Sequence, residues 1–306
     1  MRSAPVIFDP PVIGSIVGLW HGFAGRRIEW KLHWLLTLGV FMEFVGHGAC
    51  GVATKSGWLP YFHVFAISDS FAWRLMPLVG SVDIALGVLA LLSPRRALFL
   101  YMATWGCFTA LLRPAAGQGW WEFIERSYNY GVPFTLLFLH GFGTDRKSRF
   151  SPLRTVPKLS AQQTRTLIWL LRGIIALMLI GHGGFGAFMA KANLVGLYQA
   201  AGLGVLGLPL ETFRAVLGFF EIALGISALF AVRPSFFIGV CAWKVIGEAL
   251  YLVAGAPLAC WEVVERGGSY VTPLAAILVL SMLCEKDAGQ EQTVLSAAPL
   301  PKSWQH

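Results

Sequence analysis

HWLLTLGVFMEFVGHGACGVA (residues 33–53) and TLIWLLRGIIALMLIGHGGFGAFM (residues 166–189) are the two stretches whose reading decides the fold. They run for 21 and 24 residues, within the roughly 17–25 needed to cross a hydrocarbon core about 30 Å thick. Each carries Gly-His-Gly late in the run, Gly46-His47-Gly48 and Gly181-His182-Gly183, and each is closed by a lysine, Lys55 and Lys191. The two histidines are 135 positions apart. If the runs are copies of one transmembrane helix, an ionisable imidazole lies at matching depth in both.

The composition agrees. The 306 residues are 56% hydrophobic and 13% charged, with a mean hydropathy of +0.64; soluble domains carry about 25% charge. Lipid offers the backbone no hydrogen bonds, so spans must be helices or a closed barrel. Continuous apolar runs without period-two alternation exclude the barrel. The class is an all-α polytopic membrane protein. The net charge of +8 would suggest nucleic acid in a soluble chain; here the excess Lys and Arg cluster in a few loops as topology signals, and no nucleic-acid partner is expected. Residues 12–25 are apolar but broken by glycines and run into Arg26-Arg27. They read as an interfacial or half-inserted helix rather than a cleavable signal peptide. Five cysteines, odd in number and without CxxC spacing, read as buried free thiols.

Eight spans are predicted, at about 33–53, 74–92, 97–113, 129–143, 166–189, 214–232, 235–255 and 270–284. Ser93-Pro94-Arg95-Arg96 and Arg233-Pro234-Ser235 make tight connections, since proline stops one helix and can start the next. With a cytoplasmic N-terminus, 15 Lys and Arg fall on that side and at most seven opposite: Lys55, Arg74, Arg113, Arg126, Lys191, Arg214 and Arg266. The positive-inside rule then puts both termini in the cytoplasm. The organisation expected is an N-terminal segment 1–32, a four-helix unit 33–143, a basic linker 144–165, a second unit 166–284 and a tail 285–306.

The units align beyond their histidines. Asp83 corresponds to Glu221 and Trp105 to Trp243, both at a shift of 138. Trp121-Glu122-Phe123-Ile124-Glu125-Arg126 corresponds to Trp261-Glu262-Val263-Val264-Glu265-Arg266 at a shift of 140, followed by Tyr130/Tyr270 and Pro133/Pro273. A slow one-way drift of shift is the mark of a duplication with small indels. An even number of spans inserts both copies the same way up, as parallel repeats about an axis along the membrane normal.

Ionisable groups at membrane depth cost at least about 2.5–3.5 kcal/mol for Asp, Lys or Arg at mid-helix, so each needs a reason. The candidates are Glu43, His47, Asp83, Arg172, His182, Glu221, Lys244 and Glu248. A network of imidazoles and carboxylates handling protons beside a redox-active ligand is one reading; pairing that only specifies packing is the other. Glu43, His47 and Cys50 share a helical face and could bind a metal, but Met178 and Phe185 stand at the first and last positions in the second unit. His47 and His182 as paired axial haem ligands are conceivable; close helix packing is the commoner use of the flanking glycines. Lys244 and Glu248, four apart, can neutralise each other. The two W-E-x-x-E-R segments read either as interfacial anchors, with Trp120, Trp121 and Trp261 at the bilayer surface, or as a rim of charge over a ligand cavity. Trp58, Tyr61, Phe62, His63 and Trp73 read as an amphipathic lid or an aromatic belt. P-loop, HExxH and GxSxG signatures are absent.

Leu171-Arg172-Gly173, Gly181-His182-Gly183, Lys191, Glu221 with Gly225, and Arg233 resemble the four-helix DoxX/DoxD type of membrane protein, best over residues 166–284. The first unit keeps Gly46-His47-Gly48, Lys55 and Asp83 but has Thr37 where the second has Arg172. That family includes membrane subunits of thiosulfate:quinone oxidoreductase. The resemblance implies a bacterial inner-membrane protein linked to quinone, acting with a partner subunit. His47, Asp83, His182 and Glu221 would exchange protons with a quinone head group beside Trp105 and Trp243, with Arg172 and Lys244 stabilising negative charge. A non-enzymatic carrier for a small solute, proton or metal, or a structural subunit of a larger complex, are the other classes.

Overall fold

The computed structural model describes residues 25–189 and 192–297. Residues 12–24 of the expected interfacial helix, Lys191 and the end of the tail lie outside the described residues. Among the described residues every regular element is helical. The order is α1 (Ile28–Val52), a 3-10 turn Ser56–Trp58, α2 (Leu59–His63), α3 (Asp69–Leu92), α4 (Arg96–Ala115), α5 (Trp120–Glu125), α6 (Ser127–His140), α7 (Arg146–Phe150) and α8 (Ala161–Ala187). There follow α9 (Ala192–Ala200), a 3-10 turn Leu203–Leu206, α10 (Leu210–Phe230), α11 (Pro234–Val253), α12 (Ala259–Glu265) and α13 (Gly267–Ala297).

The helix ends follow from local chemistry. At Ser160 the hydroxyl accepts the Gln163 N–H at 3.2 Å while the Gln163 amide oxygen accepts the Ser160 N–H at 2.9 Å, a capping box that starts α8. Pro234 occupies the first turn of α11, where its missing N–H costs nothing. The short α5 and α12 each begin after a residue in the left-handed region, Gly119 (φ +87°) and Leu258 (φ +60°), which breaks the chain direction before each Trp-Glu pair.

Six stretches are long and apolar enough to cross a membrane: α1, α3, α8, α10, α11 and the continuous Ala259–Glu285. Of the other two spans expected, α4 is bracketed by Arg96 and Arg113. The 14 residues of α6 rise only about 21 Å at roughly 1.5 Å each.

Packing divides the helices into an inner and an outer set. The four inner helices, α1, α6, α8 and α13, share one core built from Leu32, Leu36, Val40, Leu136, Leu171, Ile175, Ala275 and Val279 among others. Outside them, α3 lies along α1, α10 along α8, α4 along α6 and α11 along α13. The outer helices show large apolar side chains to the surroundings, including Leu78, Leu92, Phe219, Phe220 and Ile246, as a lipid-facing surface requires. The linker does not hang free. Leu153, Val156 and Leu159 bury into the same core, and Arg96 donates to the carbonyls of His140, Gly141 and Ser148. The expected burial of the thiols holds only in part: Cys50 is buried, whereas Cys260 and Cys284 are exposed because they face outward from their helices.

Candidate functional site

The Gly-His-Gly segments work as two-sided docks. A Cβ at Gly46 would strike the backbone of Glu265, and one at Gly181 would strike that of Glu125. On the other side, Gly48 meets the carbonyl of Gly80 and Gly183 that of Gly218. One glycine of each segment thus admits α12 or α5 from the opposite half of the chain, and the other admits the adjacent outer helix. The histidine between them is held at a three-helix junction. Trp121 sits over Gly184 and stacks on Phe188 at 5.7 Å, so it is a packing residue and not the interfacial anchor expected; Trp120 and Trp261 are the exposed ones.

Each imidazole is bound to the predicted carboxylate. His47 Nδ1 lies 2.8 Å from Asp83 Oδ2, and His182 Nδ1 lies 2.5 Å from Glu221 Oε2. Asp83 and Glu221 are buried, the histidines half-buried. With Nδ1 taken up, Nε2 is the ring nitrogen left for a ligand. Trp243 donates its N–H to the second oxygen of Glu221 at 2.8 Å, while His47 stacks on Trp58 at a ring separation of 4.4 Å.

Each pair borders its own cavity. That of His47, about 150 Å³, is walled by Trp58, Phe62, Phe65, Trp105 and Phe108, with Arg113, Arg126 and Glu265 at its polar end. That of His182, about 250 Å³, is walled by Tyr198, Phe213, Trp243 and Ile246, with Glu221, Lys244 and Glu248. Between them lies a larger cavity of about 780 Å³ that takes residues from both W-E-x-x-E-R segments, Glu122, Glu125 and Arg126 with Glu262 and Arg266, together with Lys55, Arg113 and His182. The charged-rim reading of those segments is the one this geometry matches.

The charges form chains. Lys244 bonds Glu248 at 2.9 Å, Arg266 bridges Glu248 and Glu262 at 2.8 Å each, and Lys55 from the first half closes on Glu262. In the first half Arg126 contacts Glu125 at 2.9 Å and Glu122 at 3.7 Å, and Arg113 donates to the Tyr61 hydroxyl at 2.7 Å. Burial alone would raise the pKa of Glu125, but Arg126 beside it, then His182 and Arg266, hold it below the usual carboxylate range.

Of the residues expected at the site, the structure brings together His182, Glu221, Trp243, Lys244 and Glu248, and separately His47, Asp83 and Trp105. Arg172 stands apart from these. Arg172 lies ten residues from His182 on the same helix, about 15 Å along its axis. It donates to the Ala231 carbonyl at the end of α10, stacking on Trp169, so it caps a helix instead of serving the site. His47 and His182 line different cavities, and none of these cavities takes both, so they do not share one site as a haem pair. Among the described residues no three His, Cys, Asp or Glu side chains converge as a metal site; Cys50 packs with Trp58, Ala72 and Met76 instead of joining Glu43 and His47. Residues that sequence reasoning missed are Arg214, Tyr198 and Tyr251, which line the His182 cavity, and His33 with His140, buried in contact at 2.9 Å. His33 is about 21 Å from His47 along α1. Only the W-E-x-x-E-R spacing signalled Arg126 and Arg266.

No protein-family model, curated protein or solved structure matches the chain.

Proposed function

We propose that the chain is an eight-span bacterial inner-membrane protein. It is built as two parallel four-helix repeats with both termini cytoplasmic, and it binds the polar head of a small hydrophobic molecule at its His–carboxylate pairs. A quinone is the ligand class that the chemistry fits best, as the DoxX-like resemblance implies. One observation carries the reading. Each cavity joins a carboxylate-held imidazole to the lipid-facing surface, for the lining residues Phe65, Phe108 and Ile246 are among the exposed apolar side chains. A hydrophobic molecule can enter sideways from the bilayer. Cavities of about 150 and 250 Å³ are below the roughly 300–1,000 Å³ of whole-ligand pockets, so they suit a head group whose tail stays in lipid.

The residues fit such a group. The carboxylate on Nδ1 fixes the ring and strengthens Nε2 as a proton donor and acceptor toward a carbonyl oxygen. Aromatic walls supply flat apolar contact, and Lys244, next to Trp243 and one turn from Glu248 on α11, places positive charge in the same cavity. A bound quinone would supply two-electron redox chemistry, with electrons exchanged through a partner subunit. A second reading, a carrier of a small polar solute, proton or metal, is favoured by the charged lining of the central cavity.

Titration of the purified protein in lipid nanodiscs with a short-tailed quinone, followed by tryptophan fluorescence, tests this. Saturable quenching is expected. Loss of one charge-assisted hydrogen bond, about 1.5–3 kcal/mol, predicts affinity weakened about 10- to 150-fold in His182→Ala and Glu221→Gln, with Arg172→Lys unchanged. Absence of saturable binding, or equal affinity in His182→Ala, overturns the quinone reading; binding of a polar solute alone favours the carrier.

A further inference from the structure

Around Asp83, in a void that His47 also lines, four buried polar atoms lack any hydrogen-bond partner: Glu43 Oε2, Asp83 Oδ1, Asn129 Oδ1 and Trp105 Nε1. All four residues line one small void of about 10 Å³ between α1, α3, α4 and α6. Glu43, Asp83 and Asn129 are 3%, 1% and 5% exposed. Four unsatisfied groups meeting at one place are not a packing accident, since each costs about 1–3 kcal/mol when left unpaired. The void is the size of one water, which needs about 10–15 Å³.

The second half shows what the first lacks. There Glu221 reaches Trp243 directly at 2.8 Å. Asp83 is one methylene shorter, and it stays out of hydrogen-bond reach of Trp105, with the void beside both. Met178 stands in place of Glu43 and Ser269 in place of Asn129, so the second half has neither the extra carboxyl nor the amide, and the Ser269 hydroxyl is turned to the Arg266 carbonyl. Gly106 allows α4 to lie against the backbone of Asn129, where any side chain would collide at 2.5 Å.

Counting donors and acceptors identifies the occupant. Trp105 supplies one donor against three oxygen acceptors. A water accepts from Trp105 and donates twice, which leaves one oxygen without a proton. A proton on Glu43 closes the count. The water then accepts from the Trp105 N–H and the Glu43 O–H, and donates to Asp83 Oδ1 and the Asn129 amide oxygen. Glu43 makes no ion pair among the described residues, and the charged and titratable groups around it are Glu265 from α12, Asp83 from α3, Arg126 before α6 and His47, one turn along α1 and lining the same void.

We propose that this void is a proton-storage site: one internal water held by Glu43, Asp83, Trp105 and Asn129, with the stored proton on Glu43. The Glu43 proton passes to the water as the water passes one to Asp83 Oδ1, and the other Asp83 oxygen bonds His47 Nδ1. The site stands whatever ligand occupies the His47 cavity.

Infrared difference spectroscopy of the full chain in nanodiscs at neutral pH, in H₂O and D₂O, tests it. The wild type is expected to show the carbonyl stretch of a protonated carboxylic acid, shifted down in D₂O and lost in Glu43→Gln, which keeps shape and hydrogen bonding. Glu43→Met, carrying the side chain of position 178, is expected to fold, to lack the band and to melt within a few degrees of wild type. A wild type without the band, or a band that survives both substitutions, overturns the proposal. A density map showing the void without water overturns it too.

Discussion

Replacing Arg266 by Met is expected to lower the stability of the folded protein by about 3–5 kcal/mol, the usual cost of removing one partner from a buried ion network. Its guanidinium alone touches both Glu248 and Glu262, at 2.8 Å each, donates a further bond to the Glu262 carbonyl at 2.9 Å and lies 4.9 Å over the Tyr251 ring. Glu248 and Glu262 are 3% and 7% exposed, and Glu265 is buried nearby. Without the fork, Lys244 and Lys55 are left facing three buried carboxylates. A lysine at 266 restores the charge without the planar fork, so Arg266→Lys should fall between wild type and Met. Thermal unfolding in a mild detergent, followed by circular dichroism, reads the order. A melting temperature for Arg266→Met equal to that of wild type would show that the network adds nothing to stability.

The second large effect is expected at the docking glycines. Gly181→Val places a branched side chain where a single Cβ already strikes the Glu125 backbone, and Gly46→Val does the same against Glu265. Backbone cannot rotate away as a side chain does, so the cost is at or above the roughly 1–3 kcal/mol of ordinary overpacking. Each variant should also open the cavity that its helix helps to wall. Gly173→Ala and Gly239→Ala are the controls, because nothing lies within 4 Å of a Cβ at either place. Alanine there should be neutral or stabilise by about 0.5–1 kcal/mol, since glycine carries more backbone entropy. If Gly181→Val melts as the controls do, the halves are not docked through that glycine.

Much of this was legible in the chain itself, and for a physical reason. Neighbours three or four residues apart on a helix must share a face. So Lys244 with Glu248, Glu262 with Arg266 and Glu122 with Arg126 follow from spacing alone. His47, Asp83, His182 and Glu221 stood out because an ionisable group in an apolar run is expensive. The other expectations needed depth or direction, which spacing does not give. Arg172 was an intramembrane cation in the sequence and became a helix cap in space, because ten residues of helix carry it well away from His182. The acids of W-E-x-x-E-R were ambiguous between surface and cavity until α5 and α12 were seen folded onto the opposite half.

By itself the sequence determined the all-helical membrane class and the identity of the paired acidic and imidazole positions, since hydrophobic length and helical period are local properties. The tertiary structure alone decided which partners meet across long separations: Lys55 with Glu262, 207 residues on, Glu125 against Gly181, and four unsatisfied polar atoms around one water-sized void. Those contacts arise from how the helices pack, and no local pattern encodes them.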